Sequence, residues 1–182
     1  VSCSGSSQVA AVDLKNEKLL ALLDVGKTPT HLELKPDGGE LMVSNFDSDS
    51  ISIIETTTNE VAGSYLIGSH PVRGVVTDDN SLLYESNFGS NTVAVYSIDT
   101  GTVLGAVGVG NGPDGLALTA NQDFLLVLDA QSNDVAVIRM KRLATTSKIS
   151  SDRALWAIVP VGIEPNDIVV KDFFLREGAS RQ

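Results

Sequence analysis

The chain has 182 residues, of which 42% are hydrophobic and 20% charged, a composition typical of a globular protein rather than a disordered one. Its net charge of −10 argues against a nucleic-acid partner, because binding to a phosphate backbone requires an excess of Lys and Arg. No apolar run is long enough to span a membrane and no signal peptide is recognisable, while the single cysteine, Cys3, excludes an internal disulfide and an all-cysteine zinc site.

The predicted elements follow a repeat of 42 residues. The repeat predicts a single domain made of successive units of this length. Equivalent residues recur without gaps, as in the column Pro29, Pro71 and Pro113, whereas Pro165 follows only after 52 residues and therefore implies an insertion. The units are the second half of one at 1–24, complete ones at 25–66 and 67–108, a third with an insertion (140–155) at 109–161, and the start of another at 162–182.

Each complete unit predicts four short strands and no helix. In the unit at 25–66, apolar residues alternate with polar ones at 30–34 and 51–55, and β-rich runs occupy 40–43 and 61–67. Turn-forming sequences separate the runs: PDGG, DSDS and TTNE. Four antiparallel strands in a unit of this length are typical of a β-propeller blade, so the predicted fold is all-β.

One motif of the repeat also resembles a known family. Val43-Ser44-Asn45, followed by a Ser-rich turn and an alternating strand, is similar to the YVTN β-propeller repeat, as are the Gly-x-x-Pro motifs at 26–29, 68–71 and 110–113. The resemblance covers residues 1–170 and departs from the motif at Cys3, at Glu85, where an apolar residue is expected, and in the insertion. It implies a lactonase-like or surface-layer-type propeller, which usually has seven blades and is exported.

Seven blades of this length need roughly 300 residues, which exceeds this chain. We therefore expect a partial ring of about four blades, corresponding to the C-terminal portion of a larger propeller. In an alternative arrangement, 1–24 and 162–182 together complete one blade and close a four-bladed ring. The partial ring is favoured because 171–175 copies 41–44 poorly. A partial ring leaves blade faces uncovered, which predicts self-association.

Candidate ligand-binding residues lie near the start of the innermost strand of each blade. One column there changes its chemistry between blades, while the columns around it stay constant; it contains His31, Arg73, Gly115 and Asp167, and the neighbouring column contributes Asp114. A pocket built from several blades has this pattern, and so do polar residues that merely line the solvated opening of a ring. We predict that His31, Arg73, Asp114 and Asp167 face the central channel.

The sequence predicts no catalytic residues, no metal site and no cofactor. Only two histidines are present, His31 and His70, and they fall in different columns, so they do not form the set of three or four ligands that zinc requires. No Gly-x-Ser-x-Gly nucleophile motif occurs.

Two further features receive structural interpretations. The column of Asn45, Asn87 and Asp129 is interpreted as turn-forming, with each side chain accepting hydrogen bonds from backbone N–H groups two residues on. Trp156, the only tryptophan, is predicted to be a core or strap residue.

Three functions remain open from the sequence. The first is a non-enzymatic binding scaffold for a protein, a glycan or a small ligand, located at the cell surface, outside the cell or in the periplasm, as the resemblance implies. The alternative is a lactonase-like hydrolase that acts on a cyclic ester in the channel. A redox-cofactor propeller is a minor third reading. The partner of the scaffold is not identified by the sequence.

Overall fold

The computed structural model describes residues 1–140 and 154–171, and its regular structure consists almost entirely of antiparallel β-strands. Within these residues, fifteen strands form four separate sheets, which we call blades I to IV in chain order. In the part of the chain so described, blade I has three strands and the other blades have four each. The predicted fold class, a partial β-propeller of four-stranded antiparallel blades, is confirmed.

In each blade, neighbouring strands are consecutive in the chain, without crossovers. Blade I contains β1 (Ser2–Cys3), β2 (Gln8–Asp13) and β3 (Lys18–Asp24). Blade II contains β4 (Pro29–Leu34), β5 (Glu40–Asn45), β6 (Ser50–Glu55) and β7 (Glu60–Leu66). Blade III contains β8 (Pro71–Val76), β9 (Leu82–Asn87), β10 (Thr92–Ser97) and β11 (Thr102–Gly108). Blade IV contains β12 (Pro113–Leu118), β13 (Phe124–Asp129), β14 (Asp134–Arg139) and β15 (Leu155–Pro160).

The turns repeat as regularly as the strands. The turn between the second and third strand positions of every blade contains a residue in the left-handed backbone region, and these residues stand 42 positions apart: Ser7, Asp49, Asn91 and Asn133, with φ between 55° and 62°. Ser, Asp and Asn tolerate this conformation because their short polar side chains can bond locally. The turn chemistry therefore sets the register of each blade.

The core lies between blades rather than within any one of them. The largest cluster joins blades III and IV and includes Val93, Val95, Leu125 and Ile138. A second cluster joins blades II and III, whereas the cluster between blades I and II has three buried members among the described residues, Val9, Val43 and Ile54. Because a blade is a sheet with two apolar faces, each blade is stabilised mainly by its neighbours.

The two ends of the row of blades expose apolar side chains. Blade I exposes Leu19, Leu20 and Leu22, and the last strand of blade IV exposes Ile158 and Val159. Among the described strands, β1 forms one edge of its sheet and pairs with β2. Exposed faces of this kind mark interaction surfaces or sites of association, so the self-association expected above stays a prediction.

The predicted insertion at 140–155 falls mostly outside the described residues. Its flanks are described: Met140 and Ala154 are both buried in the core between blades III and IV. Among residues 1–140 and 154–171, no helix has the length and apolar character needed to cross a membrane.

Candidate functional site

The innermost strands carry a backbone irregularity at the position of the varying column. Strand pairing shifts between Pro29 and His31 in blade II, and between Pro71 and Arg73 in blade III. Blade IV has the corresponding shift after Pro113. A bulge adds one residue to a strand and re-aims the side chains beside it. The candidate residues His31 and Arg73 thus occupy the same distorted position on adjacent inner strands.

Each of these two side chains has a carboxylate neighbour. His31 Nε2 lies 3.7 Å from Glu33 Oε2, and Arg73 Nη1 lies 3.6 Å from Asp167 Oδ1. Both separations exceed ordinary hydrogen-bond lengths, and the side chains of Arg73 and Asp167 are 35% and 75% exposed. The pairs are therefore loose, and pairs of this kind contribute little to stability. Their charged groups remain partly accessible to solvent.

Asp114 is placed differently from the other three candidates. Its backbone carbonyl accepts a hydrogen bond from Ser86 Oγ at 3.0 Å, which ties blade IV to blade III. A similar bond joins blades II and III, where Thr30 Oγ1 donates to the carbonyl of Val72 at 3.0 Å. The structure thus brings Arg73 and Asp167 together, pairs His31 with a residue that was not predicted, and gives the backbone of Asp114 a structural contact. Ligand binding by the four residues stays a prediction.

A buried carboxyl group beside this site departs from the repeat. In blades II and IV, the inner strand pairs a leucine with a valine of the next strand, Leu32 with Val43 and Leu116 with Val127. The corresponding pair in blade III is Gly74 with Glu85. A Cβ atom on Gly74 would lie 2.6 Å from Glu85 Oε2, so the glycine leaves the space that the longer side chain fills.

The environment of Glu85 favours its neutral form. The residue is 1% exposed, and its Oε1 has no hydrogen-bond partner among the described residues. Burial raises the pKa of Glu85 to about 8, with a smaller raising effect from the negative charge of Glu33, while a hydrogen bond with Ser44 acts in the opposite direction. Glu33 itself lies between blades II and III, because its Oε1 accepts a hydrogen bond from the backbone N–H of Val76 at 3.2 Å.

The inner strand β4 of blade II and the neighbouring strand β9 of blade III therefore contribute two acidic groups that were not predicted from the sequence, Glu33 and Glu85. The repeat singles out Glu85, because it is an acidic residue at a repeat position that is valine in blades II and IV. The repeat does not single out Glu33, because polar residues are common on inner strands.

A second buried carboxyl group lies at the end of strand β13 in blade IV. Asp129 is fully buried, and its Oδ2 accepts a hydrogen bond from the backbone N–H of Gly110 at 3.0 Å. Asp134 stands directly opposite it across β13 and β14. Burial and, to a smaller extent, the neighbouring Asp134 carboxyl together raise the pKa of Asp129 to about 7, against the lowering effect of the Gly110 N–H.

The column of Asn45, Asn87 and Asp129 stabilises the blades, but by other contacts than the sequence predicts. Asn45 Nδ2 donates to Ser52 Oγ at 3.0 Å, and Asn87 Nδ2 donates to the carbonyl of Ile67 at 3.4 Å. The side chains pack against the glycines of the Gly-x-x-Pro motifs, where added Cβ atoms would lie 2.3–2.8 Å from neighbouring side chains. The column therefore joins each turn to the preceding blade connection rather than closing the turn on itself.

Two further observations bear on the predicted chemistry. Among residues 1–140 and 154–171, no group of three or more His, Cys, Asp or Glu side chains is placed to hold a metal ion. Of the two predicted roles of Trp156, core or strap residue, the core role is wrong, since Trp156 is 59% exposed and lies at the outer edge of blade IV; the strap role stays a prediction. Its ring stacks with Phe124 at 5.1 Å and lies 5.2 Å from the Arg139 guanidinium carbon, contacts that an aromatic ring can make at the surface.

Comparisons with known proteins agree with this architecture. A family model described as "Lactonase, 7-bladed beta-propeller" matches residues 72–156. Among solved structures, hydrazine synthase of Kuenenia stuttgartiensis is similar at 28% identity and a TM-score of 0.61, over 63% of this chain and 33% of that one. A functionally unknown protein of Desulfotomaculum acetoxidans DSM 771 is similar at 22% identity and a TM-score of 0.68, over 90% of this chain and 54% of that one.

The chain spans about a third to a half of the length of these two proteins. The second likeness shows the fold alone, because its sequence identity is low. No curated protein matches the chain.

Proposed function

Because the chain belongs to the lactonase-like β-propeller family, we propose that it binds a small polar ligand at the channel end of its inner strands. The observation that carries this proposal is the position of His31 and Arg73 on equivalent bulges of adjacent blades. Propellers enclose their ligand sites by contributions from several blades, so equivalent positions with different chemistry form a specific pocket.

The guanidinium of Arg73 favours a ligand with an anionic group, which would replace the carboxylates of Asp167 and Glu33 as the partner of the two basic side chains. Arg73 is held only loosely by the exposed Asp167, and a guanidinium can exchange one carboxylate for another that offers two oxygens. His31 is held in the same loose manner by Glu33. A small hydroxy acid can displace both contacts and accept hydrogen bonds from both side chains.

The experiment is a titration of the protein with D-gluconate, followed by calorimetry or NMR. We expect saturable binding below about 20 mM, and a loss of at least about tenfold in affinity when His31→Ala and Arg73→Ala are combined. Lys15→Ala, which removes a cationic side chain from a turn of blade I, is the matched control and is expected to bind like the wild type. Absence of saturation, or unchanged affinity in the double variant, would refute the proposal.

Lactone hydrolysis is the second candidate function, and one observation favours it: the lactonase family model spans residues 72–156, which include Arg73 and Asp114. Catalysis on a cyclic ester requires an acid or base within hydrogen-bond reach of the substrate. The test is the hydrolysis of δ-gluconolactone above the buffer rate, with and without a chelator. A rate that exceeds background and falls in the His31→Ala variant would favour the hydrolase over the scaffold.

We further propose that the protein acts outside the cytoplasm, at the cell surface or in the periplasm, as expected for the repeat family it resembles. Fractionation of cells that produce the full-length protein tests this location. Recovery in the cytoplasmic fraction would contradict it.

A further inference from the structure

A cavity between blades I and II lies away from the inner-strand site. Its volume is about 430 Å³, within the range of small-molecule pockets. Ser50, Ser52 and Ser64 of β6 and β7 form one wall, and Asp24 of blade I faces them, while Val61 and Leu66 contribute apolar surface. Ser50 is paired with Leu66 and Ser52 with Ser64 across the two strands, so these four side chains share one face of the sheet.

The serines are specific to blade II. The repeat has alanine at the position of Ser52 in every other blade, at Ala10, Ala94 and Ala136. At the position of Ser64, blade III has Ala106. In blade III the alanine equivalent to Ser52 is fully buried in the apolar core between blades II and III. The same face of the sheet thus packs into an apolar interface in blade III, whereas in blade II it carries serine hydroxyl groups that line a cavity.

The hydroxyl groups are held in fixed positions by hydrogen bonds to the fold. Asn45 Nδ2 donates to Ser52 Oγ at 3.0 Å and lies 3.4 Å from Ser50 Oγ, and Ser48 Oγ lies 3.1 Å from Ser50 Oγ. Ser64 Oγ donates to the carbonyl of Ile51 at 3.2 Å. Preorganised polar groups lose little conformational entropy on binding, which favours recognition of a matching ligand.

The charge of the cavity restricts the ligand further. Among the described residues that line it, Asp24 is the only charged one, and its Oδ1 accepts a hydrogen bond from Gln8 Nε2 at 2.9 Å. A carboxylate accepts hydrogen bonds and repels anions, so phosphorylated or acidic ligands are disfavoured. Hydroxyl groups that both donate and accept, beside aliphatic surface, match a neutral ring that carries several hydroxyls and apolar C–H groups.

We propose that the cavity between blades I and II binds a neutral pyranose unit. The site is separate from His31 and Arg73, and the proposal does not depend on the function assigned to those residues. It adds a carbohydrate subsite to the side of the propeller, between two blades.

The test is an NMR titration of the protein with methyl β-D-glucopyranoside and methyl β-D-galactopyranoside as probes. We expect at least one probe to saturate with millimolar affinity and to shift amide signals of β6 and β7. Ser64→Leu places in the cavity the residue that stands at the same repeat position in blade I, Leu22, and is expected to weaken binding at least about tenfold. Ser64→Ala, which removes only the hydroxyl, is expected to weaken it about threefold to tenfold.

Ser90→Ala is the matched control, since Ser90 occupies the turn of blade III equivalent to Ser48 and lies outside the cavity. It is expected to bind like the wild type, as is Arg73→Ala. A thermal melt of each variant shows whether it is folded. If neither glycoside saturates, or if folded Ser64→Leu binds unchanged, the proposal is overturned. If Arg73→Ala abolishes glycoside binding, the sugar occupies the inner-strand site, and the proposal is equally overturned.

Discussion

The interfaces on the two sides of blade II are built from the same repeat and have opposite chemistry. On the side of blade III, Ile51 and Ile53 pack against the buried Ala94 in a continuous apolar core. On the side of blade I, Ser52 and Ser64 face a cavity, and the buried apolar cluster contains three residues. One sheet can therefore be a structural partner on one face and a candidate recognition surface on the other.

The difference shows where the repeat tolerates change. The turns and the Gly-x-x-Pro connections are the same on both sides, because they fix the backbone of every blade. The interface columns differ by single substitutions such as Ala to Ser, which change polarity without changing the backbone. A larger change of the same kind occurs at the interface of blades II and III, where Gly74 and Glu85 stand in place of the Leu–Val pair of blade II. It too changes the polarity of the interface without changing the strand pairing.

The strongest test of this interface is Gly74→Leu. The new side chain would collide with Glu85 and with Leu83, whose Cδ1 lies 2.8 Å from the position of an added Cβ. We expect a loss of about 3 kcal/mol or more in the free energy of unfolding, measured by chemical denaturation. The double variant Gly74→Leu with Glu85→Val restores the pair found in blades II and IV, and is expected to recover most of the loss. A double variant no more stable than the single one would show that the pair is not coupled.

The second test is Glu85→Gln at several pH values. The pKa of Glu85 is about 8 in the folded protein, against an ordinary value of 4.5 that applies to the unfolded chain. Between about pH 4.5 and pH 8, the folded state therefore holds a proton that the unfolded state has released. Its contribution to wild-type stability is therefore complete below about pH 4.5 and is lost as the pH rises to about 8. Glutamine does not ionise, so the stability advantage of the variant should grow by roughly 3 to 5 kcal/mol over this range.

Thermal or denaturant unfolding of both proteins at pH 5 and pH 8.5 measures the change. Glu60→Gln, at an exposed position of β7, is the matched control and should show no such growth. An advantage of Glu85→Gln that is the same at both pH values would indicate that the carboxyl is not held neutral in the folded protein.

The third test exchanges the chemistry of the two interfaces of blade II. Ala94→Ser buries a hydroxyl group in an apolar core and is expected to cost about 1 to 3 kcal/mol. Ser52→Ala removes the hydrogen bond that Asn45 donates on the other side, and is expected to cost about 1 kcal/mol. Denaturant unfolding measures both costs; no loss of stability in Ala94→Ser, or a gain of stability in Ser52→Ala, would mean that the two interfaces do not differ in polarity as described.

The last test is Asp129→Asn, which introduces the residue found at the same position in blades II and III. The pKa of Asp129 is raised to about 7 by burial and by Asp134, so wild-type stability should fall as the pH rises from about 4 to about 7. The variant should lack this loss, so its stability relative to the wild type should be greater at pH 8 than at pH 4. Melting temperatures at pH 4 and pH 8 provide the measurement, and a difference that does not change with pH would contradict the assignment.

Much of the fold was predictable because it depends on local rules that the repeat displays directly. Turn residues such as Asp49 and Asn91 and the alternation of apolar residues specify strands of six or seven residues, and the period of 42 specifies the blade. The same reasoning located the inner-strand column of His31 and Arg73. It failed for Trp156, since a single aromatic residue beside an insertion carries no periodic signal of burial.

The sequence by itself determined the blade, its turns and its order, because these depend on neighbours within one repeat. Only the tertiary structure decided which groups of different blades meet: Arg73 with Asp167, Glu33 with the backbone of blade III, and Asp24 with the serines of blade II. Such contacts join residues of separate sheets, and their distances depend on how the blades pack. The neutral state of Glu85 was decided in the same way, because burial by adjacent blades sets the free energy of its ionisation.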